Sequence, residues 1–292
     1  IGKVNWTSSF NISHNKNKLT KLLGDDLLPI GSNRALKVGE ELGAFYLFQM
    51  DGLYQYDGEV PQPLYDLGVR AGDVKYFDYN EDGDISDADR MNVGKAIPDF
   101  YGGITSNFSY KGFDLSLFGQ FSVGGKVMSA WRGVNGSEGT DHLGLALSNV
   151  KVNDRGESVE QYFNVSKEVA NGYWRGEGTS NTIPRPVRIG VHTGYDYDYN
   201  VQTSTRYLED ASYFKLKTVT LGYTLPESVV KKLRVNSLRV YVSADNLLTL
   251  TKYSGYDPET SFSGSPGDSN YGVDFGLQPV LRTFIFGLNL NF

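Results

Sequence analysis

The sequence predicts an all-β fold: six antiparallel strands from the C-terminal part of a large transmembrane β-barrel, with long extracellular loops. Three observations carry this. Six segments alternate apolar and polar residues over roughly 9–13 residues, where a globular strand has about 5–6. Short and long connections between them strictly alternate. The composition is only 39% hydrophobic yet holds 20 Tyr, 16 Phe, 3 Trp and 34 Gly, the balance of many strands with polar loops.

The first strand lies near 3–14, where Val4, Trp6, Phe10 and Ile12 alternate with Asn5, Thr7, Ser9, Asn11 and Ser13. The second, near 101–111, sets Ile104, Phe108 and Tyr110 against Thr105, Asn107 and Ser109. In the third, near 112–123, Phe113, Leu115, Leu117 and Phe121 alternate with polar residues, and Phe118 breaks the polar face. The fourth, near 211–224, is mixed, because simple alternation puts Lys215 and Lys217 on one face with Val219, Leu221 and Tyr223. The fifth, near 237–249, and the sixth, near 279–292, alternate cleanly through Leu238–Ala244 and Phe284–Phe292.

A tilted strand of about 9–11 residues crosses the hydrocarbon layer of a bilayer. The connection after the second strand is a tight turn near 110–113, and that after the fourth is 225–237. The other three, 15–100, 123–210 and 250–278, are long. Bacterial barrels alternate short periplasmic turns with long outer loops, and a soluble sandwich has no reason to. Six strands are too few to close a membrane barrel, whose minimum is about 8, and open edges in lipid leave backbone groups unsatisfied. The chain is therefore expected to be a piece of a larger barrel. Its start at Ile1 fits a mature product or a fragment.

Charge and residue types exclude other classes. With 28 Lys+Arg against 34 Asp+Glu the formal charge is −6, which argues against nucleic acid as a partner. There is no Cys, so disulfides, thiolate metal sites and thiol nucleophiles are absent. The three His stand apart from one another, and Ser263-Gly264-Ser265 lacks a strand–elbow–helix context. No catalytic constellation is present. Pro226–Leu233 reads as a short helix capping a turn.

The sharpest local motif runs from Asp78 to Asp89 and fits a twelve-residue calcium loop. Asp78, Asn80 and Asp82 take positions one, three and five, and Gly83 makes the sharp turn at six. The Asp84 carbonyl takes seven, Ser86 acts through water at nine, and Asp89 takes twelve, where an EF-hand has Glu. No helix precedes the loop, so an EF-hand pair is not expected. The bland alternative is an acidic, solvated turn without metal. A structural Ca2+ is the expected cofactor.

Aromatic residues in the 123–210 loop, namely Trp131, Trp174, Tyr195 and Tyr197, suit sugar rings or apolar peptide side chains. Packing within the loop or against a partner protein is the alternative. Tyr46, Phe48, Tyr54 and Tyr56 enrich the first long loop in the same way.

Several blocks resemble the C-terminus of SusC/RagA-type TonB-dependent transporters. They are Tyr213 through Pro226, Ser237 through Ser243, Asp245-Asn246-Leu247, Gly255-Tyr256-Asp257-Pro258 and Arg282 through Asn289. Others are Gly72-Asp73-Val74-Lys75-Tyr76, Gly94, Pro98-Asp99-Phe100, Tyr110 through Ser116, and Val38-Gly39-Glu40 through Gly52. The 123–210 loop matches least.

The resemblance implies a barrel of about 22 strands with an N-terminal plug, in the outer membrane of Bacteroidetes. It implies import of oligosaccharide or peptide substrates with a SusD-like surface lipoprotein, driven by TonB through an N-terminal region not in this sequence. It gives Phe292 the role of a barrel assembly signal on a last strand that contacts lipid. No enzymatic step is implied. The alternative from another class is a secreted, calcium-stabilised β-rich adhesin or glycan-binding module.

Overall fold

The computed structural model describes residues 4–31, 33–132, 146–152, 158–162, 166–189, 199–259, 264 and 268–292. Six long strands form one sheet: β1 (Asn5–His14), β2 (Phe100–Tyr110), β3 (Phe113–Val123), β4 (Tyr213–Thr224), β5 (Ser237–Thr251) and β6 (Thr283–Asn291). They pair in chain order, each antiparallel to the next. Lys111 and Gly112 join β2 to β3 with φ of 47° and 86°, the double left-handed conformation that a tight hairpin needs. The β4–β5 connection holds a helical turn at Glu227–Val230 capped by Pro226, and Arg234, at φ 59°, ends it.

One face of this sheet is apolar and open. Trp6, Phe10 and Ile12 lie opposite Phe108, Ile104 and Gly102, and Phe284, Phe286, Leu288 and Leu290 lie opposite Ala244, Val242, Val240 and Leu238. Trp6 stacks on Phe108 and Phe10 on Phe121, each pair with ring centroids 5.8 Å apart. Even the polar groups on this face are satisfied internally: the Trp6 indole N–H donates to Ser106 and the Ser8 hydroxyl to the Thr105 carbonyl. A surface of this kind suits hydrocarbon, where no water can serve a polar group. Phe286, on this face, is 82% exposed.

The opposite face is polar and interlocked. Thr220 bonds to Ser243, Thr218 to Asp245, and Arg239 clamps Asp114. Glycines on this face lie beneath large side chains. A Cβ on Gly287 would fall 2.1 Å from the Tyr241 ring, and one on Gly222 would strike the Arg239–Asp114 pair. Phe118, the aromatic on the polar side of β3, lies beside Gly103.

The mixed pattern of β4 has a physical cause. The register shifts between Leu216 and Thr218 against both neighbouring strands, so Lys217 sits at a β-bulge. An extra residue inverts the side-chain alternation beyond it. Tyr213 and Lys215 share the polar face with Thr218 and Thr220, while Val219, Leu221 and Tyr223 point to the apolar one. The expected single face of lysines and apolar residues is corrected accordingly.

The long connections are not simple loops. Short strands pair within and between them: Arg34–Lys37 with Leu27–Ile30 and Ala44–Leu47, and Lys126–Ser129 with Leu208–Asp210 and Val273–Asp274. They enclose two apolar clusters. One joins Phe45, Leu47, Met128, Val169, Tyr207 and Val273, and so all three long connections; the other joins Phe48, Leu53, Tyr54, Leu64, Val74, Tyr76 and Tyr199. The largest fully buried side chains all lie in this cap, none in the six strands. Phe48 and Tyr54 are thus core residues, whereas Tyr56 is 53% exposed.

Candidate functional site

The acidic segment follows the short strand Val74–Tyr76 and precedes Met91–Lys95, placing it on the cap. Its backbone has the sharp turn the motif requires, with Glu81 and Gly83 at φ 60° and 83°. The Asp78 carboxylate accepts from the Gly83 and Asp82 amides at 2.8 and 3.3 Å, and Asn80 Oδ1 accepts from the Asp82 amide at 3.1 Å. Asp82 Oδ1 accepts from the Asp84 amide, and Asp84 Oδ1 from that of Ile85.

Asp89 behaves differently. It is fully buried, and its two oxygens accept from the amides of Tyr79, Asn80 and Ser86, clipping both limbs of the loop together. Among the described residues no three His, Asp or Glu side chains converge at metal-holding distance. Oxygen donors in the required order and a suitable backbone are present. In this arrangement the carboxylates serve backbone amides.

Of the four aromatic residues expected at the substrate, Tyr195 and Tyr197 lie outside the described residues. Trp131 and Trp174 are half-buried. The Trp131 indole N–H donates to the Tyr253 hydroxyl at 3.2 Å, and Tyr253 in turn donates to buried Asp274 at 2.6 Å. The Trp174 indole N–H donates to Gln55, and its ring covers Gly72, whose absent Cβ would lie 2.4 Å away. Both rings are fixed in orientation by their surroundings. Phe292 is 85% exposed beyond the end of β6.

Two ionic hubs were not found by spacing. Lys215, 2% exposed on β4, donates at 2.5 Å to both Asp257 and Glu259, and Lys217 on the bulge reaches Glu259 at 2.7 Å. Tyr213 donates to Glu259 as well. Burial opposes ionisation of Glu259, but hydrogen bonds from Lys215, Lys217 and Tyr213 outweigh it and bring its pKa to about 2. The available signal was two lysines in a strand pattern with no carboxylate nearby in sequence. The second hub is Asp73, 4% exposed, which accepts two bonds from Arg185, one from Asn200 and one from the Arg70 amide. It ties the 50–76 segment to Arg185 and Asn200.

A six-stranded antiparallel sheet, open at both edges, with a lipid-compatible face and a folded cap on one end, defines a section of a transmembrane β-barrel. Comparison with known proteins specifies the kind. The chain is 33% identical over 302 residues to TonB-dependent receptor P3 of Formosa agariphila, covering 98% of this chain and 27% of that protein. It is 26% identical to TonB-dependent receptor SusC of Bacteroides thetaiotaomicron, covering 98% of this chain and 24% of that one. Its fold matches the RagAB peptide transporter with a TM-score of 0.69 at 20% identity, covering all of this chain and 28% of that one. No family model matches the chain. Nearly the whole chain thus resembles one segment of TonB-dependent receptors, SusC among them, and it spans about a quarter of the length of the curated relatives it matches.

Proposed function

We propose that this chain is part of an outer-membrane, TonB-dependent importer of oligosaccharides or peptides that works with a SusD-like surface lipoprotein. The observation that carries the reading is the pairing of an open apolar sheet face with a cap holding its own buried cores. The sheet faces lipid, and the cap forms the outer mouth through which cargo enters. Trp131 and Trp174, held by Tyr253 and Gln55, offer preoriented rings for stacking; Tyr195 and Tyr197, outside the described residues, are proposed as cargo contacts from their residue type. Phe292 extends the apolar β6 face and contributes to barrel assembly. The importer binds and moves cargo without covalent chemistry.

Ca2+ is proposed as a structural ion of the acidic loop, held by Asp78, Asn80, Asp82 and the Asp84 carbonyl, with Asp89 closing the loop or supplying a further oxygen. It steadies the 78–89 segment and carries no cargo role. The five aspartates at 78, 82, 84, 87 and 89 lie within twelve residues and repel one another when no cation is bound.

The test uses the complete parent protein. Deleting its gene is expected to abolish uptake of one labelled class, oligosaccharide or oligopeptide, and the protein is expected to co-purify with a lipoprotein in detergent. Wild-type uptake of both classes, or a protein that stays folded and monodisperse in plain buffer, would overturn the reading in favour of a secreted adhesin.

A further inference from the structure

The cap holds a second polar feature, unrelated to the acidic loop or the aromatic rings. A cleft of about 500 Å³ opens where the chain leaves β1, between residues 16–18, the Gly39–Glu41 turn and the strand Met91–Lys95. In a chain of net charge −6 its lining is dominated by cations: Lys16, Lys18, Lys95 and Lys126 face Glu40 and Glu41.

The two carboxylates are already engaged. Glu41 pairs with Lys95 at 2.5 Å, and Lys95 also reaches Asp99 at 3.0 Å. Glu40 accepts from the Asn92 side-chain Nδ2 at 2.6 Å. The cleft therefore keeps three ammonium groups, those of Lys16, Lys18 and Lys126, with no carboxylate in ion-pair contact among the described residues.

Lys126 is placed there by the backbone. Its stem crosses Gly94, where a Cβ would lie 2.7 Å from Lys126 Cδ and 2.8 Å from Cε. Gly94 also has a φ of 126°, which side chains rarely adopt. The glycine thus opens the track along which Lys126 reaches the cleft. Lys16 lies two residues beyond His14, the last residue of β1, whose apolar face ends in Ile12. The cleft thus lies at the cap end of β1.

We propose that this cleft binds a phosphate group, presented either by a lipid headgroup of the outer leaflet or by a soluble phosphorylated molecule. Several lysines lining one roomy cleft favour a multiply charged, tetrahedral oxyanion, and a phosphate has an oxygen to offer each of them. Neither the cargo nor the calcium loop enters this assignment.

The test uses the complete parent protein in nanodiscs of phosphatidylcholine. Thermal unfolding is followed with inorganic phosphate added, and separately with phosphatidic acid included in the disc. Saturable stabilisation by inorganic phosphate supports a soluble source, and stabilisation by phosphatidic acid alone supports the lipid. In either case Lys126→Met and the double variant Lys16→Met/Lys18→Met are expected to weaken the effect by roughly tenfold or more. Gly94→Ala should do the same without removing a charge. Lys126→Arg is expected to retain binding, and so to separate loss of the site from loss of the fold. Lys111→Met, in the turn at the opposite end of β2, should leave the effect unchanged. No stabilisation by either probe, or equal stabilisation of the Lys126→Met and Lys16→Met/Lys18→Met variants, would overturn the proposal.

Discussion

Replacing Lys215 by Met removes the ammonium that joins β4 to the 257–259 segment while leaving the stem's volume nearly unchanged. In the structure Lys215 is 2% and Asp257 6% exposed, so the pair is shielded from water and salt. Removing one partner of a buried ion pair costs about 3–5 kcal/mol, because the other charge stays behind. Here the loss is moderated: Asp257 keeps the Glu259 amide, and Glu259 keeps Lys217 and Tyr213. A destabilisation of about 3 kcal/mol is expected, at the lower end of that range.

The same hub sets an acid sensitivity. Glu259 titrates near 2 in the folded chain against an ordinary 4.5. Its contribution is therefore complete above about pH 4.5 and is lost as pH falls toward 2. Denaturant unfolding of the complete protein in detergent, followed by tryptophan fluorescence between pH 7 and pH 3, measures both effects. Lys215→Met should lower stability at pH 7 and flatten the loss on acidification. A change below about 1 kcal/mol at pH 7, the range of an exposed pair, together with an unchanged acid slope, would refute the hub as a stabilising element.

Further outcomes follow from the polar face and the cap. Gly287→Ala should destabilise the barrel by about 1–3 kcal/mol through overpacking against Tyr241, and Tyr241→Ala in the same chain should recover much of that loss in a double-mutant cycle. Deleting Lys217 removes the bulge and leaves Leu216 and Thr218 on their present faces, in register with Gly119 and Phe118, so folded barrel, read by its heat-modifiable mobility on gels, should persist; inserting one Ala after Val219 inverts half of β4 and should abolish it. Asp73→Ala strips the acceptor from Arg185, Asn200 and the Arg70 amide, and limited proteolysis of intact cells should then cut the 166–200 segment faster. Chelating calcium should speed cleavage within 78–89 in the wild type and leave Asp78→Ala/Asp82→Ala unaffected; equal rates with and without chelator would remove the ion from the loop.

The sequence by itself determined the six strands and their order in space. Alternation is local: Trp6, Phe10 and Ile12, or Phe284, Phe286 and Leu288, reveal a face because successive side chains of a strand point opposite ways. The parity of connection lengths added that the long segments share one end of the sheet. The oxygen donors of the acidic loop were legible for the same reason, since they sit within one short stretch. Tertiary structure alone decided the rest. The bulge at Lys217 depends on the registers of both neighbouring strands, and a one-residue shift leaves no mark in composition. The Lys215–Glu259 and Asp73–Arg185 pairs join residues 44 and 112 positions apart. The cap's cores gather Phe45, Met128 and Val273 from three separate connections. Charge pairing and burial act through space, so only the folded chain fixes which partner each group finds.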